Sequence, residues 1–387
     1  MSALPLTPDP VPPLVPLAWE EAARLAADAR VRIETLTEPA QFERAEEVIR
    51  EVWGARPTDS SLVNASFMRA IEHAGGHIGG VFPLSDPTRL VGVSVAFCAS
   101  PTEASLHSHV AGLLPGTTGR GGGTALKFHQ RAWALERGFT SITWTYDPLI
   151  ARNAHFNLNR LGATFEEYLV DFYGKLPDRV NEDEASDRGL VRWHLVDPGV
   201  SEHVGRRAVP PPAAAHPGTP VLLSTDEGGA PLRGDVSDAH LGDTGSAWVA
   251  VPEDTEGMRG VDPALAHGWR IAVRDALVPL LEDGWYVTGF ARGRGYFVER
   301  MDGRGSTRSS CATSRWSWWR PSRRPSGGRT TRRRSSCACG APGGSLDGAS
   351  AWPWWTPSTP RSTSAARPRS SAAGSFPCCS LPPRSPR

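Results

Sequence analysis

The chain has 387 residues, enough for two or three domains, and its 42 basic and 41 acidic side chains give no reason to expect a polyanion partner. It contains no uninterrupted apolar run of about 18 residues, so no membrane span is expected. The Pro-rich N-terminus lacks the basic region of a signal peptide. Only one of six cysteines, Cys98, precedes residue 300, which predicts a cytoplasmic body without disulfides. The tail cysteines have no metal-site spacing, and no metal is expected.

The first two thirds of the chain read as alternating strands and helices. Strands are predicted from alternating apolar residues, and helices from apolar residues three or four positions apart. In chain order, the predicted elements are a strand over 31–36, helices over 39–52 and 62–72, strands over 76–82, 89–99 and 105–114, a helix ending at 137, a strand over 141–146, a helix over 152–161 and a strand over 163–174. This order predicts a mixed α/β domain.

The remaining sequence predicts a second, smaller unit. Residues 176–216 are polar and then Pro/Ala-rich, as in a linker, and residues 219–300 hold two strands, an amphipathic helix and a hairpin. The predicted organisation is an extended arm over 1–30, the α/β domain over 31–200, a linker over 201–218, the small α/β unit over 219–300 and a tail over 301–387.

The stretch LLPGTTGRGGG, residues 113–123, joins a predicted strand to a helix. Backbone N–H groups of a Gly-rich turn at a helix N-terminus bind anions, helped by the helix dipole. The turn lacks the Lys-Ser/Thr of a P-loop, and Thr124 stands where a dinucleotide fingerprint needs its third glycine. A flexible strand-to-helix connection is the alternative explanation of this turn.

The same stretch resembles the signature of the GNAT superfamily of N-acyltransferases, in which an apolar strand and a Pro precede Q/R-x-x-G-x-G/A and a helix. The match covers the strand, Pro115, Gly121, Gly123 and the helix, and departs at Thr118, where the family has Arg or Gln. Downstream, the segments WTYDPL, RNAHFNL and LGA resemble a GNAT subgroup often encoded beside N-acylamino-acid racemase or o-succinylbenzoate synthase genes. The resemblance covers about 31–200 and continues more weakly to about 300.

The resemblance implies the GNAT fold, a mixed and mostly antiparallel splayed sheet flanked by helices. It also implies acetyl-CoA or another acyl-CoA as co-substrate, and a small amine as acceptor, with amino acids as one class. Transfer would be direct, in a ternary complex. The implied cofactor-binding residues are Leu113, Thr118, Gly119, Arg120, Gly121, Gly122, Gly123, Thr124, Asn153 and Phe156.

Acyl transfer to an amine benefits from a general base. His109, on the strand before the turn, and Asp147, at the end of the next strand, are the catalytic candidates. A packed strand histidine and an Asp-Pro turn are the respective structural alternatives. Glu103 is a further carboxylate, more typical of a solvated loop. Leu158 occupies the position where the family usually has a Tyr that protonates the departing thiolate, so another proton source is required.

The tail after residue 302 is rich in Arg and Trp, a composition that binds RNA in some proteins. From Gly303 onward, however, it contains no Val, Ile, Tyr, Lys, Glu, Asn, Gln, His or Met. That restricted alphabet is typical of a GC-rich gene read out of frame. A shifted reading resembles the start of the racemase and synthase family named above. The tail is therefore predicted to be disordered, and no nucleic-acid partner is expected.

Two further function classes stay open on the sequence alone. A non-catalytic acyl-CoA-binding module would explain Thr118 and the missing Tyr, and a nucleic-acid-binding protein would depend entirely on the tail. A homodimer is also compatible with the sequence.

Overall fold

The computed structural model describes residues 14–55, 59, 61–99, 103–174, 185–200 and 218–300. The predicted tail over 301–387 lies outside the described residues, as does most of the predicted linker. The helices are α1 (Leu14–Asp28), α2 (Pro39–Val52), α3 (Ala65–His73), α4 (Gly122–Glu136), α5 (Ala151–Ala154, continued by a π-helical turn over His155–Arg160), α6 (Asp238–Thr244), α7 (Thr255–Val261) and α8 (Pro263–Glu282). The strands are β1 (Val31–Thr35), β2 (His77–Pro83), β3 (Gly92–Cys98), β4 (Ser105–Leu113), β5 (Ser141–Tyr146), β6 (Thr164–Leu169), β7 (Arg188–His194), β8 (Val221–Thr225), β9 (Pro231–Arg233), β10 (Ser246–Val249), β11 (Trp285–Ala291) and β12 (Gly295–Arg300).

These strands form one sheet in the order β1-β2-β3-β4-β5-β7-β6-β11-β12-β10-β8-β9. The pairs β4–β5 and β8–β10 are parallel, and the other neighbouring pairs are antiparallel. The expected mixed, mostly antiparallel sheet flanked by helices is therefore confirmed. Val287 of β11 lies opposite Phe165 of β6, so the strands of the predicted small unit continue the sheet of the main domain. The division of the chain at 201–218 stays a prediction.

Helices cover both faces of the first strands of this sheet. The apolar side of α2, which includes Phe42 and Ile49, packs into one cluster with Val93 and Val95 of β3. On the other face, α4 places 13 of its 15 residues in buried positions, because the sheet lies on one side and α1 on the other. Strand alternation therefore sends successive β3 side chains into two different helix layers.

The N-terminal segment is a correction to the sequence-based prediction. Residues 14–28, expected as part of an extended arm, form α1 and pack on α4 with Ala18 and Ala22 buried. Pro16 is compatible with this helix because proline is tolerated in a first turn, where N–H groups have no intrahelical partner. The following residues are rich in Ala, Leu, Glu and Arg, all strong helix formers.

The end of the main domain also differs from the prediction. Residues 188–194, within the segment interpreted as polar linker, form β7, which lies between β5 and β6 in the sheet. The predicted strand over 163–174 ends at Leu169 and continues as a turn. The alternation of apolar and polar residues in RGLVRWH covers only a few positions, and polar residues precede it. The sequence pattern therefore did not predict this strand.

The predicted amphipathic helix of the small unit is confirmed as α8, with Pro279 inside it. Its expected apolar face, Trp269, Val273, Leu277 and Leu280, is buried. Within the described ranges, no helix has both the length and the hydropathy that a membrane crossing requires.

Candidate active site

A cleft opens between β4 and β5. The two strands pair in parallel at only three positions, and the last pair joins His107 to Thr143. β4 continues to Leu113 and β5 to Tyr146 without further registered pairs. Beyond His107, the β5-facing edge of β4 therefore presents backbone N–H and C=O groups that pair with no strand in the described part of the chain. Such an edge is available to the amides of an extended ligand.

A β-bulge in β4 lies where this cleft begins. Val95 of β3 stands opposite Val110, whereas Ala96 stands opposite Ser108, so His109 is an extra residue in β4. A bulge bends its strand and redirects a side chain, and bulges are frequent next to active sites. The sequence identified His109 as a candidate base, but only the strand register shows that it occupies the bulge.

Two histidines share the face of the sheet beside the bulge. The rings of His107 and His109 lie 5.3 and 5.9 Å from the ring of Phe97, and His107 Nδ1 is 3.1 Å from Thr143 Oγ1. Burial, followed by the charges of His109 and Lys127, lowers the pKa of His107 to about 4. Burial also lowers the pKa of His109. Both imidazoles are therefore neutral at pH 7, the form that accepts a proton.

The Gly-rich turn begins α4 directly after β4. Gly119 and Gly121 have φ values of 80° and 90°, a left-handed conformation that favours glycine, and Gly121 is the N-cap of the 15-residue helix. A Cβ on Gly122 would come within 2.8 Å of Leu113 Cδ2, so the turn packs closely against the side chain at the end of β4. Arg120 is exposed beside it. The structure thus brings the predicted residues 118–124 together at a helix N-terminus, next to Leu113.

Asp147 lies in a different environment from the one expected of a base. Its carboxylate accepts bonds from Arg270, at 2.9 and 3.2 Å, from Arg259, and from the backbone N–H of Leu149. Burial raises its pKa, but the charges and hydrogen bonds of Arg270 and then Arg259 outweigh that effect and hold the pKa at about 2. A carboxylate with this pKa is a weak base, and its position fits an ion-pair centre that joins the end of β5 to Arg259 of α7 and Arg270 of α8.

The other candidates are dispersed around the cleft. Asn153 and Phe156 are half-buried on α5 and its π-helical turn, where they stay predicted cofactor contacts. Leu158 is buried in the core, as expected of an apolar residue, and supplies no acid. Glu103 forms an ion pair with Arg192, with the nearest atoms 3.9 Å apart.

Sequence reasoning missed one buried cation. Lys127, on the second turn of α4, is 4 % exposed, and its Nζ donates to Ser108 Oγ at 3.1 Å and to Gln130 Oε1 at 3.0 Å. The same Nζ lies 3.9 Å from the ring centroid of Trp144 on β5. It therefore occupies the space between the diverging strands, on the α4 side. The rarity of lysine could have drawn attention to Lys127, because the chain has two lysines, Lys127 and Lys175.

Comparisons with known proteins found structural likeness only. No family model matches the chain, and no curated protein matches its sequence. Among solved structures, it is similar to a Desulfovibrio desulfuricans protein described as an acetyltransferase of the GNAT family, with 17% identity, a TM-score of 0.34 and coverage of 43% of this chain and 99% of that one. The ribosomal-protein-S18-alanine N-acetyltransferase of Escherichia coli matches at 12% identity and a TM-score of 0.34, over 43% of this chain and 94% of that chain. A Salmonella typhimurium protein described as an acetyltransferase, solved with its cofactor acetyl-CoA, matches at 12% identity and a TM-score of 0.33, over 43% and 94%.

Proposed function

We propose that this chain is an acyl-CoA-dependent N-acyltransferase of the GNAT type, which transfers an acetyl or succinyl group to a small amine. The observation that carries the proposal is the cleft: an unpaired edge of β4 leads directly into the Gly-rich N-terminus of α4. An anionic head bound at the helix and an amide-containing arm laid along the strand would use both features at once.

Coenzyme A combines an anionic pyrophosphate with an arm that contains amides, and each part would use one feature of the cleft. Its pyrophosphate would accept bonds from the backbone N–H groups of Gly119 to Thr124, with Arg120 adding charge at the rim. Its pantetheine amides would pair with the free edge of β4. Leu113 and His109 are four residues apart, about 13 Å along a strand, so an arm that starts at the turn delivers its thioester near the bulge.

His109 is the residue best placed to assist the attacking amine. An amine must lose a proton as it adds to the thioester carbonyl, and a neutral imidazole at the bulge accepts that proton. Backbone N–H groups at the bulge would stabilise the tetrahedral oxyanion. The collapse of that intermediate breaks the C–S bond and releases CoA and the amide. Attack in a ternary complex needs no covalent enzyme intermediate.

The wall beside the histidines favours acceptors with an apolar body. Phe97, which contacts both rings, also lines a cavity of about 350 Å³ with Phe67, Ala70, Ile71, Ala74, Gly76 and Cys98. No charged side chain lines this cavity among the described residues. An amino acid or amine with an apolar side chain fits it better than a polyamine does.

The test is a matrix of acetyl-CoA and succinyl-CoA against apolar amino acids, polar amino acids and spermidine, with thiol release as readout. Gly121→Trp should abolish acyl-CoA binding, measured by calorimetry. Gly138→Trp is its matched control, because Gly138 also has positive φ but lies at the opposite end of α4. Binding without turnover on any amine would favour a non-catalytic acyl-CoA module. Absence of both binding and turnover would refute the proposal.

A further inference from the structure

The structure places an amine without a carboxylate partner inside the β4–β5 cleft. Lys127 Nζ is held by a hydroxyl, an amide oxygen and an indole face, from β4, α4 and β5 respectively. Across the described part of the chain, no acidic side chain lies within ion-pair distance of it. A buried lysine without a counter-charge is costly to retain and therefore points to a functional role.

Burial, and not the charge of a neighbouring group, accounts for the unusual state of Lys127. Burial lowers the pKa of Lys127 to about 7. Within the described ranges, the titratable side chains that interact electrostatically with Lys127 are His77 on β2 and His107 on β4. Burial is the largest cause that lowers the pKa of each histidine. Both histidines are neutral at pH 7, so neither opposes protonation of Lys127 there.

Ser108 links this amine to the strand edge. The hydroxyl of Ser108 accepts from Lys127, and no acceptor for its own hydrogen is found among the described residues. Ser108 immediately precedes the bulge residue His109. Its side chain points toward α4, whereas His109 points to the Phe97 side of the sheet. Two adjacent residues of β4 therefore offer a proton donor on one face and a proton acceptor on the other.

We propose that the Ser108 hydroxyl, backed by the Lys127 ammonium, protonates the departing thiolate of coenzyme A. This inference rests on the proposed function and names the proton source that Leu158 fails to supply. As the C–S bond breaks, its electron pair stays on sulfur, Ser108 gives its proton to that sulfur, and Lys127 gives one to Ser108. His109 holds the proton from the amine. Exchange with solvent then deprotonates His109 and reprotonates Lys127, so the net products are the amide and free CoA thiol.

The first experiment measures the amine directly in the full-length chain. Growth on ε-¹³C-lysine gives two side-chain signals, because the sequence has two lysines, and the signal missing in Lys127→Arg identifies Lys127. The proposal expects this signal to titrate near pH 7 and to shift when CoA is added. A signal that titrates near pH 10, or that CoA leaves unchanged, would overturn it.

The second experiment separates a chemical role from a packing role. Lys127→Met, which keeps the length and removes the charge, should lower kcat about 10²-fold while the Kd of acetyl-CoA stays within twofold. Wild-type kcat should fall above about pH 7, where Lys127 loses its proton, and this fall should be absent from the Lys127→Met variant. Ser108→Ala should act similarly, and the double variant should lose little more, because both residues serve one proton path. Arg137→Met, a half-exposed cation at the end of α4, is the matched control.

The outcomes test two proposals separately: the proton relay from Lys127 through Ser108 to the sulfur, and the acyltransferase function itself. A wild type that transfers acyl groups, together with Lys127→Met and Ser108→Ala variants of unchanged kcat and pH profile, would refute the relay and leave the proposed function intact. A wild type without transfer to any amine would refute both. A fall in melting temperature with an unchanged pH profile would assign Lys127 a structural role only.

Discussion

His109 is the extra residue of the bulge in β4, and its proposed role as a base depends on that position. An unbulged β4 would keep strict alternation, and its side chains would stay in register with those of β3. In that unbulged register His109 would lie opposite Val95. The bulge places Val110 opposite Val95 instead, so His109 has no Cα partner on β3 while its ring stays beside Phe97. The residue type suggested proton transfer, whereas the place of His109 in the bulge is set by the pairing of two strands.

His109→Gln should lower kcat about 10²–10³-fold near pH 7.5, because glutamine keeps polarity but accepts no proton. Acyl-CoA affinity should remain unchanged. The pKa of His109 lies below its ordinary value, so wild-type kcat should fall on the acid side only below about pH 6.5, and this limb should vanish in the variant. His267→Gln, on the exposed side of α8, is the control. A variant with wild-type kcat would exclude His109 as the base.

Asp147→Asn should destabilise the fold by about 3–5 kcal/mol, because it removes the buried negative charge to which Arg259 and Arg270 both bind. The pKa of Asp147 is lowered from 3.8 to about 2, so its stabilising contribution is present above about pH 4 and is lost as pH falls towards 2. Urea unfolding of both proteins between pH 7 and pH 2 checks this. The stability gap should shrink across that window, and a gap independent of pH would contradict the ion-pair role.

At the scale of elements, local patterns predicted most of what surrounds the cleft. The turn at 117–123, α4 and β5 follow from glycines, apolar periodicity and strand alternation. Helix α1 and strand β7 were not predicted from the sequence, for different reasons. Proline content outweighed the helix-forming residues after Pro16, and β7 is too short to stand out from its polar neighbours. Each becomes ordered by packing against an element distant in sequence, α4 for α1 and β5 for β7.

The helix α1 offers a sharp test, because adjacent alanines differ in environment. Ala22 is 4 % exposed, whereas Ala23 faces solvent. Ala22→Glu should cost at least about 3 kcal/mol, since it places an unpaired charge against α4. Ala23→Glu should change stability by less than about 0.5 kcal/mol. Denaturant unfolding measures both, and equal effects would mean that α1 does not pack as described.

At the scale of the molecule, polar contacts join the predicted main domain to the small unit. The buried hydroxyls of Tyr146 and Tyr296 are 3.0 Å apart, and Arg274 makes a bidentate pair with Asp187 at 2.7 and 2.9 Å. Together with the Asp147 ion pairs, these contacts join residues that precede the predicted linker to residues that follow it. Residues on both sides of it should therefore unfold together.

A chain that ends at residue 217 should consequently be aggregation-prone, because it exposes Phe165 and leaves the Asp147 and Asp187 carboxylates without their arginines. The intact chain should show one calorimetric transition. A protease site inserted within 201–217 is the matched control, since cleavage there should leave both pieces associated by gel filtration. Independent folding of residues 1–217, with a native-like melting temperature, would contradict this expectation.

The sequence by itself determined the mixed α/β class, the Gly-rich turn at a helix N-terminus, and the histidine candidate on the strand before it. These features depend on neighbours within a few residues, where residue propensity and hydrophobic periodicity act. Only the tertiary structure decided that Asp147 is held by two arginines, that His109 occupies a bulge, and that Lys127 meets Ser108 in the cleft. The partners in these contacts lie from 12 to 123 residues apart. Burial and ion pairing, which set their charge states, arise only when the sheet and its helices pack together.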